Sequence, residues 1–261
     1  MEKQIWDEYQ IDLQSSGHWK IGPLHLWVTR FKNEWRISSL SNHDPDDRTI
    51  EIEVPFKLPL SEDLETNRFG GKETTPSIRF TPVLADRPVV IRPEMPFYLP
   101  STEEVTIYVS TPLWLNITVE PHSRKLLQVP ILRLSDSWFG PDPTEGELCY
   151  AARTKAKLRF EDLTLIQYRA LTKIVLKNSS SKQLFLERIK VPVNNLSLYS
   201  SKEAGLLTET ITIIKEDDQT EMKMRLEKPV ESEFGKPSKI AMPREPLQKN
   251  IFLKAINTLI G

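Results

Sequence analysis

The run Ile50-Glu-Ile-Glu-Val-Pro-Phe56 sets Ile50, Ile52, Val54 and Phe56 on one side of the chain and Glu51, Glu53 and Pro55 on the other. Such two-residue alternation specifies an extended strand with one apolar and one polar face. Similar runs recur at Val105-Ile107-Val109, Leu113-Leu115-Ile117-Val119, Ala156-Leu158-Phe160, Phe185-Glu187-Ile189-Val191 and Met222-Met224-Leu226, bounded by Pro, Asn, Asp or Ser. The chain therefore reads as all-β.

Composition agrees and narrows the class. Glycine is scarce, at 9 of 261 residues, and proline abundant, at 20. That balance disfavours glycine-rich phosphate loops and favours many terminated strands with guarded edges. Hydrophobic residues at 39% supply enough surface for a core, and the net charge of −1 argues against a protein that neutralises nucleic-acid phosphates. Cys149 is the only cysteine, so no intrachain disulfide is available and a reducing cytoplasm is the expected setting. Met1 to Tyr9 carries Glu2, Asp7 and Glu8 and lacks the basic start and apolar stretch of a secretory leader. No stretch approaches the roughly 18 to 20 consecutive apolar residues that span a bilayer, so no transmembrane segment is expected.

Strand spacing divides the chain into two antiparallel β-sandwich domains of immunoglobulin-like type, over 1–140 and 141–228. Residues 229–261 follow as a Pro-rich, charged linker and a helix. The helix is expected over Pro246–Gly261, where Leu247, Ile251, Ala255 and Leu259 recur every four residues, with Phe252, Ile256 and Ile260 one position on. Four of the six tryptophans, Trp6, Trp19, Trp27 and Trp35, fall in the first forty residues with His18 and His25. They read as strand residues packing a core, with an aromatic ligand platform as the alternative. Ser41–Arg48 reads as a solvated turn, since Asp44, Asp46 and Asp47 lack the glycine and distal glutamate of a calcium loop.

The densest functional-looking stretch is Asp136-Ser-Trp-Phe-Gly-Pro-Asp-Pro-Thr-Glu-Gly-Glu-Leu-Cys-Tyr150. It gathers carboxylates, aromatics and the only thiol where apolar periodicity lapses, which suggests a rigid crossover between domains. It lacks the clustered His or Cys ligands of a zinc site. Cys149 as a nucleophile would need His18, His25, His43 or His122 beside it. No nucleophile elbow, Walker loop, dinucleotide fingerprint or paired Cys-x-x-Cys occurs, so no cofactor, metal or catalytic residue is assigned.

Arg87-Pro-Val-Val-Ile-Arg-Pro-Glu-Met-Pro-Phe-Tyr-Leu-Pro100, Val105-Thr-Ile-Tyr-Val-Ser-Thr-Pro-Leu-Trp114, Trp138 to Tyr150 and the Leu-Lys-Asn178 hairpin together resemble an uncharacterised archaeal and bacterial family, domain of unknown function 432. The resemblance covers residues 76–200 and implies no chemistry. It favours a membrane-associated partner.

The expectation is a non-enzymatic cytoplasmic interaction or accessory module with a protein partner and no nucleic acid. Its candidate binding residues are Asp136, Trp138, Phe139, Asp142 and Glu145 in the crossover and Ile251, Phe252, Ile256 and Leu259 in the helix. The alternatives are a small-ligand or carbohydrate binder, which requires exposed tryptophan beside convergent polar groups, and a hydrolase, which requires a carboxylate pair or Cys149 with a histidine in one cleft.

Overall fold

Strand periodicity governs nearly the whole chain in the computed structural model, which describes residues 4–42, 44–56, 64–93, 95–121, 123–140, 144–217 and 222–246, with the backbone alone of 153–155 and 252–253. The first passage contributes β1 (Glu8–Gln10), β2 (Ser16–Ile21), β3 (Leu24–Arg30), β4 (Glu34–Ser41), β5 (Ile50–Phe56), β6 (Thr66–Gly70) and β7 (Ser77–Val83). Next come β8 (Val89–Pro93), β9 (Phe97–Leu99) and β10 (Glu104–Pro112), then β11 (Trp114–Val119) and β12 (Arg124–Pro130). The remainder holds β13 (Ser135–Phe139), β14 (Glu147–Ala156), β15 (Arg169–Asn178), β16 (Leu184–Leu186), β17 (Ile189–Val191) and β18 (Leu198–Ser201). It ends with β19 (Gly205–Thr208), β20 (Thr210–Lys215), β21 (Met222–Glu227), the one-turn helix α1 (Glu231–Phe234), β22 (Ser238–Ala241) and β23 (Phe252–Leu253). Among the described residues, no helix is long and apolar enough to cross a membrane.

These strands gather into two units that interleave along the sequence, Met1–Val83 with Leu113–Arg133, and Leu84–Pro112 with Leu134–Gly261. The expected 1–140 and 141–228 division follows chain order, whereas residues 84–112 join the second unit because β10 takes its partner from far downstream.

In the first unit, a five-stranded sheet ordered β5-β2-β3-β4-β6 and a four-stranded sheet ordered β1-β7-β11-β12 meet through large side chains. Trp19 of β2 stands edge-on to Phe80 of β7, with centroids 4.8 Å apart, and Tyr9 of β1 touches both rings. Trp19 and Phe80 are buried with Leu26, Ile37, Ile78, Leu115 and Ile117, the inward positions of their strands. Gly17 makes room, since a Cβ there would sit 2.3 Å from the Trp19 ring. Arg30 ties loops to this core, donating to the carbonyls of Ile11 (3.1 Å) and Thr74 (2.7 Å) and to the Thr74 hydroxyl.

The second unit rests on the ladder of β10 against β15, aligned from Glu104↔Lys177 to Pro112↔Arg169. The other edge of β15 pairs with β19 and β20, and both of those pairings are parallel. A third parallel pair joins β14 to β8. The expectation of purely antiparallel sheets is therefore corrected. Parallel neighbours require a long crossover, and the chain from 179 to 209 supplies one after β15. Asn178 closes the ladder. Its buried amide donates to the carbonyls of Leu99 (3.0 Å), Pro100 (2.9 Å) and Lys182 (2.8 Å), and its oxygen accepts from the Ser180 N–H and hydroxyl. Above the sheet, α1 seats Phe234 among Tyr108, Leu171, Tyr199 and Leu207, while Glu233 accepts from the Tyr108 hydroxyl and Lys173.

Ile251, Ile256 and Leu259, and most of the helix expected over Pro246–Gly261, lie outside the described residues. Phe252–Leu253 is a correction, forming a two-residue strand against Met222 and Lys223. The free edge of β21 offers their backbone groups ladder partners, a term that side-chain periodicity does not register.

Asn178→Ala should lower stability by about 3 kcal/mol, because it strands buried carbonyls. Asn178→Asp should cost at least as much, since it turns a carboxylate oxygen toward those carbonyls. Lys177→Ala, which removes the exposed ion pair with Glu104, should cost less than about 1 kcal/mol. Urea unfolding of the three variants checks the ranking.

Candidate functional site

The stretch expected as a crossover folds back on itself as a hairpin. β13 pairs antiparallel with β14 in the register Asp136↔Tyr150, Ser137↔Cys149, Trp138↔Leu148 and Phe139↔Glu147. Because successive strand residues face opposite ways, this register divides the candidate residues between two faces.

Asp136, Trp138, Leu148 and Tyr150 share the outer face. Trp138 and Leu148 lie directly across from one another and are each 43% exposed. Beside them Arg87 pairs with Asp136 at 3.0 Å and lies over the Tyr150 ring, whose hydroxyl donates to Asp86 at 2.9 Å. Burial, followed by the Asp86 contact, pushes the Tyr150 phenol up to about 12. It is thus a fixed donor at neutral pH.

Phe139 belongs to the inner face and is 2% exposed, which removes it from the binding surface expected around Trp138. It packs with Val90 and Cys149, and Arg188 and Lys190 lie over its ring at 5.9 and 5.7 Å. Lys190 is itself buried and paired with Glu147 at 2.6 Å. The Cys149 thiol is fully buried, and burial followed by Glu147 raises it to about 11. At neutral pH it is a protonated core thiol, poorly suited to attack. Glu145 is exposed, whereas Asp142 lies outside the described residues.

Two glycines set the hairpin's shape. A Cβ on Gly146 would lie 2.5 Å from the Trp138 indole nitrogen, so the ring lies across Gly146. A Cβ on Gly140 would lie 2.1 Å from the Glu145 carbonyl oxygen. Both positions therefore exclude side chains for reasons of space.

The first unit holds a second cluster. His18, His25 and Trp27 are half-buried on the face of the five-stranded sheet opposite Trp19, with ring planes within 18° of parallel. His18 Nε2 and His25 Nδ1 are hydrogen-bonded at 3.3 Å, and Phe56 leans against His18 at 49°. Desolvation holds both histidines below their ordinary pKa, with His25 as the next cause for His18 and Lys20 for His25, while Glu51 opposes the shift at both rings, Glu53 at His18 and Asp47 at His25. The sequence groups these histidines with the N-terminal tryptophans and, as bases, with Cys149, without pairing them to each other. The signal for their meeting was their odd spacing across the Gly22-Pro23 turn, which sets them diagonally on one face.

A cleft of about 160 Å³ in the same unit is lined by Trp35, Phe69, Thr75, Val119, Glu120 and Leu126. Thr75 and Glu120 in it are engaged, with Thr75 donating to the Glu120 carbonyl and the Glu120 carboxylate facing Arg79 at 3.3 Å. The Asp44 to Asp47 turn is likewise occupied by itself. Asp47 accepts from Asn42 and Thr49 and lies 3.4 Å from Lys20, and these contacts outweigh desolvation to hold its carboxyl at about 2.

Cys149 should resist a thiol-directed reagent such as iodoacetamide in the folded protein and react in denaturant, read by mass spectrometry of the labelled peptide. The depressed histidines make the native state bind fewer protons than the unfolded chain just below about pH 6.5, so stability should fall with pH in that window. Urea midpoints at pH 7.5 and 5.5 should differ more for the native sequence than for a His18→Gln, His25→Gln double variant.

No curated protein and no solved structure matches the chain significantly. The sequence profile of the family described as "Protein of unknown function (DUF432)" matches residues 5–260, and the chain belongs to that family.

Proposed function

We propose that this protein is a non-enzymatic interaction module of the cytoplasm, built on β-sandwich architecture, which docks a protein partner on the outer face of the β13–β14 hairpin. The observation that carries this reading is the Trp138–Leu148 pair, two large apolar side chains held across a ladder and left exposed. Exposed tryptophan at the centre of a polar rim has the anatomy of a binding hot spot, and Asp136, Arg87 and Asp86 supply the rim. Among the described residues, β13 is also the end strand of its four-stranded sheet. The buried Phe139, Cys149 and Lys190–Glu147 contacts hold the hairpin from behind, which reduces the entropy lost on binding. A cytoplasmic setting is supported by a fold whose only cysteine is a buried, protonated thiol.

A photo-crosslinking residue placed at position 138 or 148 in the full chain, in cells, should capture one discrete protein. The same residue at Leu13, which is 50% exposed in the other unit, should not. For the captured partner, Trp138→Ala should weaken binding about thirtyfold, a loss of about 2 kcal/mol. Equal capture from positions 138 and 13 would sink the proposal.

A further inference from the structure

The cleft of the first unit opens where its two sheets end. Its apolar walls are Trp35 of β4 and Phe69 of β6 on one sheet, and Val119 of β11 and Leu126 of β12 on the other. Among the described residues, β6 and β12 are end strands, so the cleft is an open flank between the sheets. The register Trp35↔Phe69 sets both rings on one face, and Trp35 and Leu126 are buried. Backbone bonds hold the loop at its rim, the Gly71 N–H donating to the Asn33 carbonyl at 2.8 Å and the Thr74 N–H to the Lys32 carbonyl at 3.0 Å. The walls are thus set in place before any ligand arrives.

Three charged side chains line the cleft among the described residues, Glu73, Glu120 and Arg124. Glu120 is matched by Arg79 and accepts from the Ser123 hydroxyl at 3.0 Å. Glu73 and Arg124, both exposed at the rim, form no ion pair among the described residues. Arg124 makes one long hydrogen bond, from Nη2 to the Gly70 carbonyl at 3.4 Å, which leaves most of its donors for a ligand. Gly71 keeps the space beside it open. A Cβ there would lie 4.0 Å from Arg124 Nη1 and 3.8 Å from the Glu73 carbonyl oxygen, both ordinary contacts, and its φ is not left-handed. Neither crowding nor backbone strain therefore calls for glycine at this position, unlike Gly17, Gly140 and Gly146. An apolar cavity of about 150 Å³ holds benzene, so this cleft, at about 160 Å³, takes one side chain of leucine or phenylalanine size. A simple carboxylate or amine would answer only one of the two rim charges. We propose that the cleft binds a free α-amino acid with a branched or aromatic apolar side chain, its carboxylate on Arg124, its ammonium on Glu73 and its side chain between the two apolar walls. The site is independent of the hairpin surface, for it lies in the other unit and shares no residue with it.

Titration of the full chain with L-leucine, L-isoleucine and L-phenylalanine, followed by calorimetry and tryptophan fluorescence, tests the assignment. At least one should saturate the protein with a Kd of about 1 mM or tighter. Isocaproate and hydrocinnamate, which lack the ammonium, and isopentylamine and phenethylamine, which lack the carboxylate, should each bind about tenfold more weakly than the parent amino acid. Arg124→Gln and Glu73→Gln, at exposed positions that leave the melting temperature unchanged, should each weaken binding by a similar factor, and Gly71→Leu should block it. Absence of saturation by all three amino acids overturns the proposal. Binding indifferent to both Arg124→Gln and Glu73→Gln, or binding of the amines or carboxylates as tight as that of the amino acids, overturns it equally.

Discussion

The long ladder between β10 and β15 is the constraint on which the second unit depends. It joins segments separated by more than fifty residues of chain, and every other strand of that sheet takes its position from β15 outward. A ladder of this length leaves its ends needing partners. At one end the Arg169 side chain donates to the Ser110 hydroxyl and carbonyl, and at the other the Asn178 amide gathers Leu99, Pro100, Lys182 and Ser180. Asparagine suits this place because one side chain presents two donors and an acceptor in a fixed plane. Buried backbone oxygens that would otherwise be unsatisfied are thus paired without water.

Titratable groups far from their ordinary ionisation serve the same architectural end. Tyr108 donates to Glu233, Tyr150 to Asp86 and Tyr199 to Glu209, and burial is the first cause of the raised pKa at all three phenols. Each tyrosine is thereby locked as a donor to a carboxylate on a different segment. Perturbed ionisation is commonly a mark of catalytic sites. Here the perturbed groups sit in contacts that fasten α1, the β13–β14 hairpin and the β18 region, which is a structural use of the same physics.

The hairpin face and the histidine cluster both arise from strand alternation. On β13 the burial of Phe139 dictates the exposure of Trp138, and on β2 the burial of Trp19 dictates the outward placement of His18 and Lys20. A strongly packed inner row fixes the register, and a fixed register decides which outer side chains become neighbours. Grouping of Trp27, His18 and His25 thus costs the fold little, because the strands beneath are held in place by Trp19, Leu26 and Phe80.

Strands with a regular alternating apolar row were legible from residue types alone. The alternation of Ile50 to Phe56, Val105 to Val109 and Leu113 to Val119 falls within β5, β10 and β11, to within a residue or two. Edge strands without such a row were not, although β5, at the end of its sheet, was. Ser135–Phe139 reads as a lapse and Ser238–Ala241 as part of a linker, yet both are strands. Each lies at the end of its sheet and is held by backbone pairing, so its side chains carry little trace of burial. The amino-acid sequence by itself determined the all-β class, the family, the positions of the central strands and the concentration of aromatic and acidic residues around Trp138. The tertiary structure alone decided the partners of β15, the parallel pairs, the split of Trp138 from Phe139 and the meeting of His18 with His25. The reason is physical. Local periodicity is written in side chains, whereas the choice of strand neighbour is made by backbone hydrogen bonds that are the same for every residue but proline.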